Sequence, residues 1–277
     1  MGASRRNLPG VLAVLVWTAL SLCALPARAW ELALCADPDA APYSSESDGG
    51  FDLAIADTVA DALGAELSVR WMPDHRSATL LRHLHAGDCD MVMGMIDGRN
   101  GILGSHAYYR TGYVFVRRAG EPPIRSLDDP ALGTLRVGVP GGARRPTPPA
   151  LGLSRRGLLG NLTHFGATAA TETAAEMGAA LADGAIDVAI LWGPMAATLN
   201  ADAERFAVMP LAPEIDLPFI PMVAAFTIGV RPHDEALRDA IDAALAARWD
   251  EVQGALERAD VPTLPLPRPL VTAESAG

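Results

Sequence analysis

The chain has 277 residues, half of them hydrophobic and only 5% aromatic, with 33 acidic residues against 22 basic ones and a formal charge of −11. All 22 basic residues are arginine. The absence of lysine excludes a P-loop GK[ST], a pyridoxal Schiff base and a lysine nucleophile, and the acidic balance excludes a broad phosphate-binding face for nucleic acid.

Arg5 and Arg6 precede an apolar run from Leu8 to Leu25, which ends in Leu25-Pro26-Ala27-Arg28-Ala29 before Trp30. A positive start, an apolar middle and an A-x-A ending predict a secretory signal peptide, residues 1–29, cleaved after Ala29. The rival is a retained anchor, since the run is long enough to span a bilayer if Pro9 and Pro26 are disregarded. Leu22 is bulky for a lipoprotein site at Cys23. Cleavage leaves 33 acids against 19 arginines, a charge of −14, on an exported chain without membrane insertion. It also leaves Cys35 and Cys89 as an even pair in an oxidising compartment. A disulfide is expected if their Cα atoms approach within about 7 Å; two buried thiols are the alternative.

Leu32–Ala36 reads as a buried strand stopped by Asp37-Pro38, followed by a polar loop from Pro42 to Gly50. Apolar residues at helical spacing predict a helix over Asp52–Leu63, ended by Gly64. Leu67–Trp71 reads as a strand, Thr79–His85 as a helix and Asp90–Gly94 as a strand. Tyr113–Val116 is a further strand, and a second series follows: a strand over Leu135–Val139, helices near Leu151–Leu159 and Thr171–Leu181, and a strand over Val188–Trp192. Ala224–Val230 then reads as a strand and Asp234–Ala246 as an amphipathic helix, and the prolines after Val261 require an extended tail. Strands alternating with helices predict an α/β fold with mostly parallel sheets flanked by helices.

Several ordered blocks carry a resemblance. They are the strand ending in Asp37-Pro38, the loop Pro42-Tyr43-Ser44, Gly50-Phe51-Asp52 opening a helix, Gly87 to Gly94, Tyr108-Tyr109-Arg110 and Ile186 to Ile190. Together they resemble type-2 periplasmic solute-binding proteins of the amino-acid-binding class over nearly the whole exported chain. The resemblance implies two α/β lobes joined by two crossing hinge strands and closing on a ligand. The expected division is 30–116 and 223–260 for lobe I, 117–222 for lobe II and 261–277 for a Pro-rich tail. A narrower similarity rests on Cys35 to Pro38, Gly87 to Asp90, Tyr108 to Val116, Thr147-Pro148-Pro149 and Leu191-Trp192-Gly193-Pro194. These blocks are similar to the branch found with quinoprotein alcohol dehydrogenases, the J proteins of methanol dehydrogenase clusters. That branch implies a periplasmic accessory that engages a pyrroloquinoline-quinone (PQQ) dehydrogenase, carries no cofactor of its own and performs no catalysis. The alternatives are the solute-binding component of an uptake transporter and a dehydratase-like enzyme on the same fold.

In the amino-acid binders an arginine for the ligand carboxylate falls seven residues after the glycine matching Gly94. Here that position is Gly101, with Arg99 two residues early. A second-lobe carboxylate for the ligand ammonium falls five residues after the aspartate matching Asp187, and that position is Trp192. Both partners of a zwitterion are replaced, and Trp192 gives a flat apolar wall suited to an aromatic ligand or an inserted side chain.

Asp37, Tyr43 and Phe51 are expected at the carboxyl ends of first-lobe strands, where open α/β sheets bind ligands; a turn aspartate and two packing aromatics are the plainer alternative. Asp97 and Arg99 are further cleft candidates, or a surface ion pair. Gly141-Gly142 with Arg144-Arg145 present an anion-binding nest or a solvated loop. His83 and His85 are two apart on a helix and point to different sides, so with Cys89 they do not form a metal site. Ser44 and Ser154 lack a nucleophile-elbow setting, and Asp128-Asp129 before Pro130 reads as a helix cap.

Overall fold

The computed structural model describes residues 30–72, 77–142, 144–166 and 170–270; the expected signal peptide lies outside them. The first strand, β1 (Glu31–Ala36), is followed by a short hairpin, β2 (Asp39–Ala40) and β3 (Ser44–Ser45), inside the loop read from sequence. Helix α1 (Phe51–Leu63) buries Phe51, Ile55, Ala56, Val59 and Ala60 on one stripe. That is the 3.6-residue periodicity of an amphipathic helix, and each large side chain so buried contributes about 1.5–3 kcal/mol. Gly64 ends it at φ 66°, a left-handed cap that glycine adopts without strain. β4 (Glu66–Trp71), α2 (Ser77–Ala86), β5 (Met91–Ile96) and the short β6 (Leu103–Gly104) complete the first series.

The long strand β7 (Tyr109–Arg118) leads into the second series. It comprises β8 (Val137–Pro140), α3 (Pro148–Arg155), β9 (Leu162–Phe165), α4 (Ala170–Ala182), β10 (Val188–Trp192), α5 (Ala197–Ala201) and β11 (Phe206–Pro210). A hairpin, β12 (Ile215–Asp216) and β13 (Ile220–Pro221), precedes β14 (Val223–Val230), α6 (Glu235–Ala247) and α7 (Trp249–Arg258). The helix expected near Leu151–Leu159 begins and ends earlier, because Pro148 and Pro149 suit a helix start and Gly157 turns the chain at φ 77°.

The strand order is β4-β1-β5-β14-β7-β10-β8-β9, with β6 added to β14 and β11 to β7. β1 pairs in parallel with β4 and β5, and β8 with β9 and β10, whereas β7 and β14 run antiparallel to their neighbours. β7 belongs to the two halves at once, and β14 lies beside its first residues. β7 pairs through residues 109–112 with β14 and from Tyr113 onward with β10. Separate cores lie on either side: one around Leu34, Ile55, Met91 and Ile228, another around Phe115, Val139, Leu153 and Ile190. This is the two-lobed α/β fold with two crossing strands that the sequence implied.

Cys35 and Cys89 are disulfide-bonded with Cα atoms 5.5 Å apart. Cys35 pairs in register with Val92 of β5, so Cys89, just ahead of that strand, falls beside β1. The extended tail crosses the hinge. Thr111 Oγ1 donates to the Pro262 carbonyl at 2.6 Å, and the Leu264 N–H donates to the Arg110 carbonyl at 2.8 Å.

Candidate functional site

A cleft of about 450 Å³ is lined by Tyr43, Gly94, Met95, Ile96 and Arg99 of the first half, by Pro148 and Trp192 of the second, and by Tyr113, Pro221, Val223, Ala224 and Phe226 along the hinge. Beside it, a cavity of about 250 Å³ is lined by Asp37, Asp52, Ser44 and Met93 among others, and shares Tyr43, Gly94 and Met95 with the cleft.

Local structure explains how Tyr43 reaches this wall. The first N–H groups of α1 have no partners within the helix. Here Phe51 N–H donates to the Pro42 carbonyl at 3.1 Å and Asp52 N–H to the Tyr43 carbonyl at 3.0 Å. Gly50 makes this possible, because a Cβ there would strike the Tyr43 carbonyl and the Ser44 backbone. The loop is thereby fixed on the helix start, and the Tyr43 ring packs 5.3 Å from Phe51.

The cleft wall continues as a chain of rings. Phe226 and Tyr109 are cross-strand partners on β14 and β7, stacked at 4.7 Å and 13°. Trp192 and Tyr113 are register partners on β10 and β7, edge to face at 5.1 Å. Trp192 also meets Phe226 at 6.1 Å and lines the cleft with Tyr43. Burial pushes the Tyr43 phenol well above its ordinary value, and Tyr113 up to about 12. These rings stay neutral and offer apolar faces with hydroxyl tips.

Arg99 is the one charged side chain lining the cleft among the described residues, and its Nε is buried without a hydrogen-bond partner. Gly101, where the resemblance led an arginine to be expected, has φ 87° and gives its carbonyl to His85 Nε2 at 2.5 Å. A side chain there would sit in a backbone conformation that L-residues rarely adopt. Among the described residues no carboxylate lines the cleft, and Trp192 forms part of its second-half wall.

The neighbouring cavity holds a buried acid. Asp52, in the first turn of α1, accepts from the Tyr108 hydroxyl at 2.7 Å, and that hydroxyl accepts from Gly94 N–H at 3.0 Å. Burial raises the Asp52 carboxyl to about 7, with the Tyr108 hydrogen bond opposing the shift. These hydrogen bonds join β5, α1 and the residue just ahead of β7 behind the cleft. Sequence reading singled out neither Asp52 nor Tyr108 as a pair, although both fall in the blocks that carried the resemblance.

The remaining candidates disperse. Asp37 is buried in the smaller cavity, where its Oδ1 accepts from Asp39 N–H at 2.9 Å. Phe51 is core, between the Tyr43 and Tyr109 rings. Asp97 is exposed and held by its backbone N–H to Ala225. Gly141 and Arg144 are exposed on the loop before α3 and do not line the cleft. His83 pairs with Asp88 at 2.7 Å, and Cys89 is in the disulfide. Asp129 caps the 3₁₀ turn Pro130–Gly133, accepting from Ala131 N–H at 2.9 Å.

A two-lobed α/β clamp with its cleft at the crossing strands defines a solute-binding class, and the chain belongs to the bacterial extracellular solute-binding proteins, family 3, whose profile matches residues 32–254. This is a family of binding proteins, not of enzymes. Within it, the chain is 29% identical to "Protein MoxJ" of Methylorubrum extorquens, over 90% of this chain and 92% of that one. Among solved structures it is similar to periplasmic binding protein XoxJ from Methylobacterium extorquens AM1, at 30% identity and a TM-score of 0.67 over 85% of this chain and all of that one. It also shares the fold of MxaJ from Methlophaga aminisulfidivorans MPT, with 23% identity and a TM-score of 0.72 over 84% of this chain and all of that one. The chain is thus a periplasmic binding protein like MoxJ and XoxJ. Among the described residues no helix is long and apolar enough to cross a membrane.

Proposed function

We propose that this protein is a non-catalytic periplasmic accessory that binds a PQQ-dependent quinoprotein alcohol dehydrogenase and aids its maturation or activation. The carrying observation is the cleft. Its wall is aromatic and aliphatic, with a single arginine and with Trp192 where amino-acid-binding relatives place a carboxylate. Such a wall accepts an apolar or aromatic group from a partner or ligand. A free amino acid would leave its ammonium unpaired there, which costs affinity. The likeness to MoxJ and XoxJ supports the same reading. It takes 30–116 with 223–260 as one lobe and 117–222 as the other, a division supported by the separate cores and by β7 passing from β14 to β10.

The test is purified protein with the quinoprotein alcohol dehydrogenase of the same organism, followed by size-exclusion chromatography and dye-linked turnover. Co-elution or raised turnover is expected; separate elution at low salt with unchanged turnover sinks the reading. Arg99 on the cleft wall favours a second reading, capture of a small anionic solute for a transporter, which calorimetry addresses directly.

A further inference from the structure

The interlobe cleft holds two unmet demands side by side. The Arg99 Nε is buried with no acceptor, and among the described residues the guanidinium makes no ion pair and no side-chain hydrogen bond. A buried donor without an acceptor is costly, so a ligand oxygen placed there is favoured by the bond it makes and by the penalty it removes. Three residues earlier, Ile96 lines the same cleft while its side chain stays 52% exposed. That apolar surface gains from being covered by carbon.

The rest of the wall is aromatic and set at definite angles. The Trp192 ring stands at 72° to Tyr113 and at 65° to Phe226, with centroids 5.1 and 6.1 Å away. A flat ring laid against one of these faces meets a neighbour edge-on, and stacked and edge-on contacts are the two that aromatic pairs favour. The volume of about 450 Å³ falls in the range of roughly 300–1,000 Å³ that encloses small organic ligands.

The charges of the wall set the charge of its ligand. One guanidinium matches one carboxylate, because Nε and a neighbouring terminal N–H present a planar fork to two oxygens. Among the described residues no carboxylate lines the cleft to receive an ammonium. Asp97 is exposed and outside the lining, and Asp37 and Asp52 line the smaller cavity. The net charge of −11 opposes a ligand with several negative charges.

We propose that the cleft binds a small planar aromatic monocarboxylate that lacks an ammonium group, with its carboxylate on Arg99 and its ring against Trp192 and Phe226. This rests on the reading of the cleft wall given above and does not depend on a dehydrogenase being the partner.

The experiment is isothermal titration calorimetry of the exhaustively dialysed protein, followed in parallel by tryptophan fluorescence. The probes are naphthalene-2-carboxylate, its neutral amide, L-phenylalanine and octanoate. Naphthalene-2-carboxylate is expected to bind at least about tenfold more tightly than each of the others. Arg99→Gln should weaken the acid about tenfold or more. Its Nε has no bond to lose, so the thermal melt should not fall. Ile96→Asp, at an exposed position, sets a carboxylate in the cleft and should weaken the acid likewise, a second readout if Arg99→Gln loses stability. Equal affinity for the amide, or undiminished binding of the acid by both variants, overturns the carboxylate grip. Equal affinity for octanoate overturns the aromatic class, and equal affinity for L-phenylalanine overturns the exclusion of an ammonium. An acid that binds no more tightly than a Kd of about 1 mM overturns the whole proposal. The accessory function then still stands or falls on co-elution with the dehydrogenase.

Discussion

Tyr108 donates its hydroxyl hydrogen to Asp52 Oδ1 at 2.7 Å, joining the residue just ahead of β7 to the first turn of α1 in a buried contact. The Tyr108 oxygen in turn receives Gly94 N–H. One buried carboxyl therefore sits behind the wall of the cleft with a single side-chain donor.

Asp52 should make stability depend on pH. Its folded value, raised by burial to about 7 from 3.8, means that the folded protein holds a proton the unfolded chain releases. Its stabilising contribution is then complete below about pH 4 and is lost as pH rises through about 7, on the order of 4 kcal/mol in all. Asp52→Asn keeps an acceptor oxygen for Tyr108 and does not ionise. Urea melts should show the variant gaining on the wild type between pH 4 and pH 8; parallel curves would mean that the carboxyl is not desolvated in solution.

The Cys35–Cys89 bond closes a loop of 54 residues in sequence separation. Chain-entropy arguments assign such a loop about 4 kcal/mol, with roughly 2–4 typical of measured bridges. Cys35→Ser, Cys89→Ser, or reduction with dithiothreitol, should lower the urea midpoint accordingly without changing the fold seen by far-ultraviolet circular dichroism.

Gly193 follows Trp192 where β10 meets the hinge and tail. A Cβ there would collide with Thr111 Oγ1 and come within 3.0 Å of the Gly112 carbonyl and 3.1 Å of the Pro262 carbonyl. Gly193→Ala should destabilise by about 1–3 kcal/mol, the usual cost of overpacking. Adding Thr111→Ala should restore part of this, because one of the three colliding groups is removed. Thermal melts of the two single variants and the double variant measure the coupling.

Isothermal titration calorimetry against the standard amino acids should detect no binding tighter than a Kd of about 100 μM, or about −5.5 kcal/mol. Trp192 offers an ammonium no carboxylate, and Gly101 offers a carboxylate no guanidinium. Micromolar affinity for any of them would favour uptake over the accessory role.

Much of the framework was legible because it depends on local periodicity. The stripe from Phe51 to Ala60, the alternation in Glu66–Trp71 and the apolar run Val188–Trp192 each state their element within a few residues. The strand read at Tyr113–Val116 was cut short. Its first four residues, 109–112, include a glycine and an arginine, and they become strand through pairing with β14 rather than through their own propensity. The short β9 and β11 were missed for the same reason: neighbours supply what a weak local signal lacks. α7 was missed although Trp249, Val252, Ala255 and Leu256 stand at helical spacing.

The site divided along similar lines. Trp192 and Arg99 were placed in the cleft by their positions relative to the family blocks, and the structure puts both on its wall. Phe51 faces the core, since residues beside a loop anchor point either way and only packing decides. Sequence alone determined that the chain is α/β, acidic and free of lysine. Tertiary structure decided that Cys35 meets Cys89, that Asp52 shares a proton-bearing contact with Tyr108, and that the Arg99 Nε is buried in the cleft wall without a partner. Those relationships join residues dozens of positions apart, or depend on which face is covered, and no periodicity in a linear sequence encodes either distance or cover.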